Sequence, residues 1–296
     1  MSKIFVLGSL NYDLVIRCDR MPEQGETLAG YGFMGNCGGK GANQAAAAAK
    51  AGGEVYMVGC VGGDVYGQMQ RAALTEYGVR TDFVETVSGL TGIAVIVVAE
   101  GDNRILLDAG ANAKVAAPLV DRALQSARPG DYLVVQFEIP DESNIYALQA
   151  AKRLGMTTVV NPAPARPVRP ELLHATDYFI PNENELLNVA GRRTEAEAVR
   201  ELFAKGCQKI VVTLGAKGAA CYDGATRVEA PARKVKAVDT TAAGDTFIGY
   251  FTASLAAGKS AAEALKAANA AASLTVQSAG AAQSIPYYRD VAPYLL

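Results

Sequence analysis

Val238-Asp239-Thr240-Thr241-Ala242-Ala243-Gly244-Asp245-Thr246-Phe247-Ile248-Gly249 is the stretch on which the reading of this chain turns. A strand-like approach over Arg233–Val238 runs into small residues, then into a helix expected from about Gly244 to Ala257. Small residues let a ligand approach the backbone closely, and the first N–H groups of a helix lack internal partners. The combination predicts an anion pocket, to which the helix dipole adds roughly 0.3–1 kcal/mol. That is too little to drive a reaction, but several aligned N–H donors stabilise charge developing in a transition state. Asp245 falls in the first turn, where the same dipole favours its ionised form. Helix capping is a common job for Asp. Capping leaves the preceding Ala-Ala-Gly unexplained, so the favoured reading is a base. In a loose phosphoryl-transfer transition state a carboxylate need only orient an alcohol and accept its proton late.

A second glycine-rich segment, Asn36-Cys37-Gly38-Gly39-Lys40-Gly41-Ala42-Asn43-Gln44, leads into an expected helix over Ala45–Ala51. Lys40 and Asn43 offer directional donors there. It is not a Walker A loop: Gly41 follows Lys40 where Ser or Thr is required, and Met34 replaces the first glycine. Gly30-Tyr-Gly-Phe-Met-Gly35 matches the dinucleotide pattern GxGxxG, with Glu54 at a tolerable distance. No strand leads into it and no helix opens at its end, so the match reads as accidental; a nicotinamide oxidoreductase is the rival that rests on it. Protein-kinase signatures are missing.

Polar residues at strand ends supply a third set. Asn11 and Asp13 follow the first strand, and Glu138 ends Val134-Val-Gln-Phe-Glu138. Ligands of open α/β sheets bind at the carboxyl ends of strands, so a common edge for these three points to a sugar site. Pro181-Asn-Glu-Asn-Glu185 admits two readings of equal weight. Asn182 and Glu185 form a capping box, or they organise phosphate and Mg²⁺-bound water.

Short β-branched runs at Ile4–Leu7, Val55–Val61, Tyr132–Phe137, Thr157–Asn161, Tyr178–Ile180 and Lys209–Leu214 alternate with helical stretches such as Asp64–Tyr77, Asp141–Leu154 and Thr194–Lys205. That rhythm predicts βαβ units around a mainly parallel sheet with helices on both faces, a three-layer α/β/α sandwich. Two stretches break it. Residues 14–36 and 91–108 carry strand patterns without helices between them, and read as a small antiparallel appendage placed to act as a lid. The whole of residues 1–296 is then one domain with that appendage.

Composition narrows the chemistry. With 28 basic and 30 acidic residues the net charge is −2, so no strong field favours nucleic acid or an anionic membrane surface. Five scattered cysteines without CxxC spacing read as reduced thiols. The N-terminal apolar run is too short for a signal peptide, and no stretch reaches the roughly 20 residues that span a bilayer. A cytoplasmic protein is expected. His174 is the sole histidine and sits at an expected helix end, so Ser/His/Asp chemistry and histidine zinc sites are disfavoured. Acid–base work falls to carboxylates.

These segments, in this order, resemble the ribokinase branch of the PfkB carbohydrate kinase family. The matching text is Gly8-Ser-Leu-Asn11-Tyr-Asp13, Pro22-Glu-Gln-Gly-Glu-Thr27, Gly38-Gly-Lys-Gly-Ala-Asn-Gln44, Ala109-Gly-Ala-Asn112, Asn161-Pro-Ala-Pro164, Pro181-Asn-Glu183, Thr213-Leu-Gly215 and Asp239 to Gly249. It spans essentially the whole chain. The resemblance implies Asp245 as the base and the amides of Ala242, Ala243 and Gly244 as an anion hole. It implies that Asn11, Asp13, Gly38, Gly39, Lys40, Asn43 and Glu138 hold a sugar. Asn182, Glu185, Thr213, Gly215, Gly218 and Asn269 would serve ATP, with Glu185 reaching Mg²⁺ through water. Asp239, Thr241, Thr275, Ser278, Gly280 and Ser284 fall in loops that bind a monovalent cation in this family, usually K⁺ and partly through backbone carbonyls. The small sheet is there a lid and commonly a homodimer contact. Ile248 stands where many members carry Asn, and Ser278 and Ala279 replace basic residues. The implied reaction moves the γ-phosphoryl group of ATP to a primary hydroxyl of a pentose, with D-ribose giving ribose 5-phosphate. Rivals are a kinase for 2-deoxyribose, a nucleoside or another furanose, and a non-catalytic sugar- or nucleotide-binding regulator.

Overall fold

The computed structural model describes residues 2–100 and 102–295; Gly101, within the expected lid, and the terminal residues Met1 and Leu296 lie outside it. Its strands are β1 (Lys3–Leu7), β2 (Asn11–Arg17), β3 (Tyr31–Gly38), β4 (Glu54–Gly62), β5 (Arg80–Val87), β6 (Gly92–Ala99) and β7 (Asp102–Asp108). They continue with β8 (Tyr132–Val135), β9 (Thr157–Val160), β10 (Tyr178–Phe179), β11 (Lys209–Thr213), β12 (Ala219–Asp223) and β13 (Thr226–Ala230). The helices are α1 (Lys40–Lys50), α2 (Val65–Glu76), α3 (Ala117–Leu124), α4 (Asp141–Arg153) and α5 (Pro170–His174). After them come α6 (Glu183–Ala190), α7 (Glu195–Ala204), α8 (Ala243–Ala256), α9 (Ala261–Thr275) and α10 (Tyr288–Val291).

Alternation within β1 shows why two helical layers are needed. Ile4 and Val6 join one core, with Ala45–Ala48 of α1 and the apolar stripes of α8 and α9. Phe5 and Leu7 join another, with residues of α3, α4, α6 and α7. A strand apolar on both faces is stable only when both are covered. The main sheet runs β13-β12-β11-β10-β9-β8-β1-β4-β5. It is parallel from β11 to β5, and the β11–β12–β13 meander closes one edge antiparallel. The expected three-layer sandwich is therefore present. Strand order reverses at β1, where crossovers diverge and leave a crevice beyond the carboxyl ends of the strands.

A second sheet, β3-β2-β6-β7, stands off that end. Its outer pairs are antiparallel, but its central pair, β2 with β6, is parallel, which corrects the all-antiparallel expectation. Both strands leave the same end of a parallel sheet, β2 after β1 and β6 after β5, so they travel in the same direction. The sheet also begins earlier than expected, at Asn11, and residues 18–30 between β2 and β3 form no strand.

Three further boundaries differ from the sequence reading. Helix α1 starts at Lys40 rather than Ala45, because Gly39 takes φ 91° at the N-cap and Asn43 N–H already bonds its carbonyl at 2.9 Å. A side chain at Gly39 would also sit 2.6 Å from the amide nitrogen of Asn11, so glycine is required there. Arg233–Val238 is not a strand; β13 ends at Ala230, and Pro231, which has no N–H, ends the ladder. Glu138 lies three residues past the end of β8 rather than on it.

Candidate active site

Glu138 anchors one wall. Its Oε2 accepts from Ser9 Oγ at 2.6 Å, the Lys40 amide at 3.2 Å and Asn11 Nδ2 at 3.3 Å. Asn112 then fixes Asn11 by donating to its Oδ1 at 2.7 Å, while Gln70 donates to the carbonyls of Asn11 and Gly38. The carboxylate therefore ties β1, β2 and α1 together at the crevice. Asp13, next along β2, is largely removed from water; burial, then Glu138 and Asp245, push its carboxyl from 3.8 up to about 7. Burial works against the Lys40 ammonium, but Asp245, Glu138 and Glu185 outweigh it and hold its pKa above the usual value.

Asp245 lies in the first turn of α8 and is 8% exposed. Its Oδ2 accepts from Asn43 Nδ2 at 3.1 Å and its Oδ1 from Gln44 Nε2 at 2.9 Å. Burial raises its pKa; Lys40 and the bonds from Gln44 and Asn43 oppose the rise, and Glu138 adds to it. Ala242, just before the helix, sits at φ 59°, a conformation uncommon for a residue with a side chain. Ala242 and Gly244 both line the space in front of the helix. The Ala243 N–H is taken by the Thr240 carbonyl at 3.2 Å, which removes it from the expected anion hole. Among the described residues no backbone acceptor meets the N–H groups of Ala242, Gly244 or Asp245. An added Cβ at Gly244 would meet nothing within 4 Å, so its face is open.

Two cavities meet at that face. One of about 230 Å³ is lined by Lys40, Asn182, Glu185, Gly244 and Asp245. The other, about 440 Å³, is lined by Thr213, Gly215, Gly218, Phe247 and Asn269, and shares Thr213 and Gly244 with the first. Asn269 donates to the Ala230 carbonyl at 2.7 Å, which fixes its amide in that wall. Asn11 and Glu138 line a third space of about 280 Å³ beside β7, reaching Asp108. Asn182 and Glu185 do form the capping box, with reciprocal bonds of 2.8 Å. Glu185 also lines the first cavity, where burial raises its pKa against the pull of the Asn182 amide and Lys40.

Asp239 clasps two loops. Its Oδ1 accepts from Thr241 N–H and Oγ1 at 2.9 and 2.7 Å, and its Oδ2 from the Gly280 N–H at 3.0 Å. Burial would raise its pKa, yet these bonds outweigh burial and hold it low. Ser284 Oγ donates to the Gly280 carbonyl at 3.0 Å. The Thr275 hydroxyl faces away, bonding Thr246 Oγ1 and the Ala271 carbonyl inside the core, and the Thr275 carbonyl takes the Ser278 N–H. Among the described residues there is no cluster of His, Cys, Asp and Glu able to hold a metal alone. His174 accepts its structural role: Nδ1 pairs with the Pro170 carbonyl at 2.8 Å. The Gly30–Gly35 match lies on β3 with no helix after it.

The sequence reading gave no role to Gln44, Asn112, Gln136 or Asn161, which brace this site. All four lie within the short segments Gly38–Gln44, Ala109–Asn112, Val134–Glu138 and Asn161–Pro164. Gln136 had a plain signal too, an amide between Val135 and Phe137 in an otherwise apolar strand.

The pfkB family carbohydrate kinase model matches residues 1–287. A ribokinase of Schizosaccharomyces pombe (strain 972) is 43% identical, over 98% of this chain and 97% of its own length. A deoxyribokinase of Salmonella typhi is 36% identical over 99% and 98%. The structure of Arabidopsis thaliana ribokinase complexed with ribose and ATP superposes with a TM-score of 0.92 at 35% identity, covering 100% of this chain and 99% of that one. Fold and site thus define an enzyme of the sugar-kinase class. The chain belongs to the PfkB family of carbohydrate kinases.

Proposed function

We propose that this kinase transfers the γ-phosphoryl group of ATP to the primary hydroxyl of a pentose, with D-ribose as acceptor and ribose 5-phosphate as product. The observation that carries the reading is the meeting of two cavities at Gly244, beside an aspartate and three unengaged amides. A nucleotide in the larger cavity and a sugar against Asn11, Asp13, Gly38, Gly39, Lys40, Asn43 and Glu138 would bring phosphoryl group and alcohol together there. Asp245 orients the alcohol and takes its proton, while the amides of Ala242 and Gly244 face the transferring group. Similarity to the ribokinase solved with ribose and ATP supports both substrates. Similarity to a deoxyribokinase favours 2-deoxyribose as the second reading.

Thr213, Gly215, Gly218 and Asn269 serve the nucleotide in this reading. Asn182 and Glu185 face the phosphates, and only one Glu185 oxygen is engaged by the capping box, so the residue fits a water-mediated Mg²⁺. Mg²⁺ there supplies neutralisation of phosphate charge. The Asp239–Thr241–Gly280–Ser284 clasp is an oxygen-rich turn that fits a monovalent cation such as K⁺ through its carboxylate and carbonyls. Thr275 and Ser278 could contribute backbone oxygen only. Residues 1–296 form one kinase domain in which the small sheet acts as lid. Ile105, Leu106 and Leu107 on β7 are exposed, Leu106 by 75%, which fits a homodimer contact through that sheet. No described helix is long and apolar enough to cross a membrane, and a cytoplasmic site of action completes the proposal.

The test is an ADP-release screen over pentoses, hexoses and nucleosides, with and without K⁺. The proposal expects kcat/KM for D-ribose to exceed that for every other acceptor. Preference for 2-deoxyribose or a nucleoside would select the rival kinase, and no turnover with any acceptor would favour a regulator.

A further inference from the structure

Asp245 does not hang free beside the cavity; it is the end of a buried chain of amides. Gln44 is 1% exposed and all its polar atoms are engaged. Its Nε2 donates to Asp245 Oδ1 at 2.9 Å and to Asn161 Oδ1 at 3.1 Å, and its Oε1 accepts from Gln136 Nε2 at 2.8 Å. Asn161 in turn donates to the Ile180 carbonyl at 3.0 Å, and Asn144 donates to the Gln136 carbonyl at 2.7 Å. The orientation of each amide follows from its acceptors. The Ile180 carbonyl can only accept, so Asn161 turns its nitrogen there and its oxygen to Gln44. An ionised carboxylate also only accepts, so Gln44 must present nitrogen to both neighbours and oxygen to Gln136.

We propose that Gln44 is a positioning residue for Asp245, holding the carboxylate in one orientation and in its ionised, accepting state. A proton on the lone pair of Oδ1 that faces Gln44, or on that of Oδ2 that faces Asn43, would meet an N–H, and both donors favour the negative charge. The chain therefore stabilises the form of Asp245 that can take a proton from an alcohol, and leaves its remaining lone pairs toward the cavity. Gln136 and Asn161, each one residue past the carboxyl end of β8 and β9, fix Gln44 against two interior strands, so the base inherits the precision of the sheet. The inference rests on Asp245 being the base.

Two substitutions test it, each read as kcat, sugar KM, the acid limb of the kcat/KM profile and Tm. Gln44→Met keeps volume but removes the donor; Gln44→Glu keeps length but sets a second carboxyl against Asp245. Both are expected to lower kcat by about 10²-fold, with sugar KM changing by no more than about threefold. Both should move the acid limb to higher pH, further for Gln44→Glu, because the charged form of Asp245 loses a donor and then also gains a like charge. A lowered Tm with an unmoved acid limb would make Gln44 a structural brace only and overturn the proposal. Should both variants fail to fold, Gln136→Leu, which frees the Gln44 amide without touching Asp245, must give the same upward shift or the proposal falls. Near-wild-type turnover in Asp245→Asn would instead sink the base assignment itself, whatever the Gln44 variants do.

Discussion

At the start of α1 the first-turn amides are all engaged by protein: Lys40 N–H by Glu138, Gly41 N–H by Ser9 Oγ, Ala42 N–H by the Ser9 carbonyl and Asn43 N–H by the Gly39 carbonyl. At the start of α8 the amides of Ala242, Gly244 and Asp245 meet no backbone acceptor. Both turns are built largely of small residues and both open helices that pack on each other, yet they are finished in opposite ways. A carboxylate already sits at the positive end of α1, so an incoming anion finds that end neutralised. What α1 offers instead is side chains: Lys40 to the cavity, Asn43 and Gln44 to Asp245. What α8 offers is backbone and one carboxylate. A glycine-rich helix start is therefore not by itself a phosphate site; its function depends on whether its amides are already satisfied.

Loss of the α8 carboxylate should have the largest effect. Asp245→Asn is expected to lower kcat by about 10²–10⁴ with sugar KM changed little, measured by steady-state ADP release. Glu138→Ala attacks the α1 side by stripping acceptors from Ser9, Asn11 and the Lys40 amide. It should raise sugar KM about 10–100-fold and lower Tm, since bonds to a charged group are lost. A rise in ATP KM with sugar KM unchanged would reverse the assignment of the two turns. Gly244→Ala should cost about tenfold in kcat/KM while leaving Tm in place, because its Cβ enters the junction of the cavities and strikes no protein atom. A large Tm loss would show that space to be structural.

The smallest expected effect is on stability. Asp13 has a folded pKa of about 7, raised from 3.8, so the folded state binds its proton more tightly than the unfolded chain does. Its contribution to stability is then greatest below about pH 4 and is lost as pH rises through 7. Asp13→Asn should stabilise the protein by about 1–2 kcal/mol at pH 8, allowing for water at this incompletely buried group, and not at pH 4. It should also weaken sugar binding. Thermal melts at the two pH values check the sign, and equal shifts at both would contradict it.

Much of this was legible in the sequence because the physics is local. Apolar runs bounded by turns marked β1, β4 and β11, and the small-residue run before Asp245 marked α8. Long-range relations were not legible. Nothing in the sequence of Leu14 or Val95 says that β2 and β6 lie side by side in parallel, some eighty residues apart. The start of α1 was hidden because Gly38, Gly39 and Gly41 read as loop, while Ser9 and Glu138, which satisfy its amides, are remote in sequence. Gln44, Gln136 and Asn161 escaped notice because an amide announces its role only through its partners. Arg233–Val238 looked like a strand by composition, but with Pro231 at its entrance it runs outside the sheet along the larger cavity.

A crystal structure with bound sugar and a non-hydrolysable ATP analogue would show whether Asp245 and the α8 amides converge on the reacting atoms. A primary hydroxyl of the sugar is expected about 2.6–3.2 Å from the Asp245 carboxylate. The terminal phosphate is expected against the amides of Ala242 and Gly244. A terminal phosphate seated at the start of α1, or a sugar whose hydroxyls all lie beyond reach of Asp245, would contradict it.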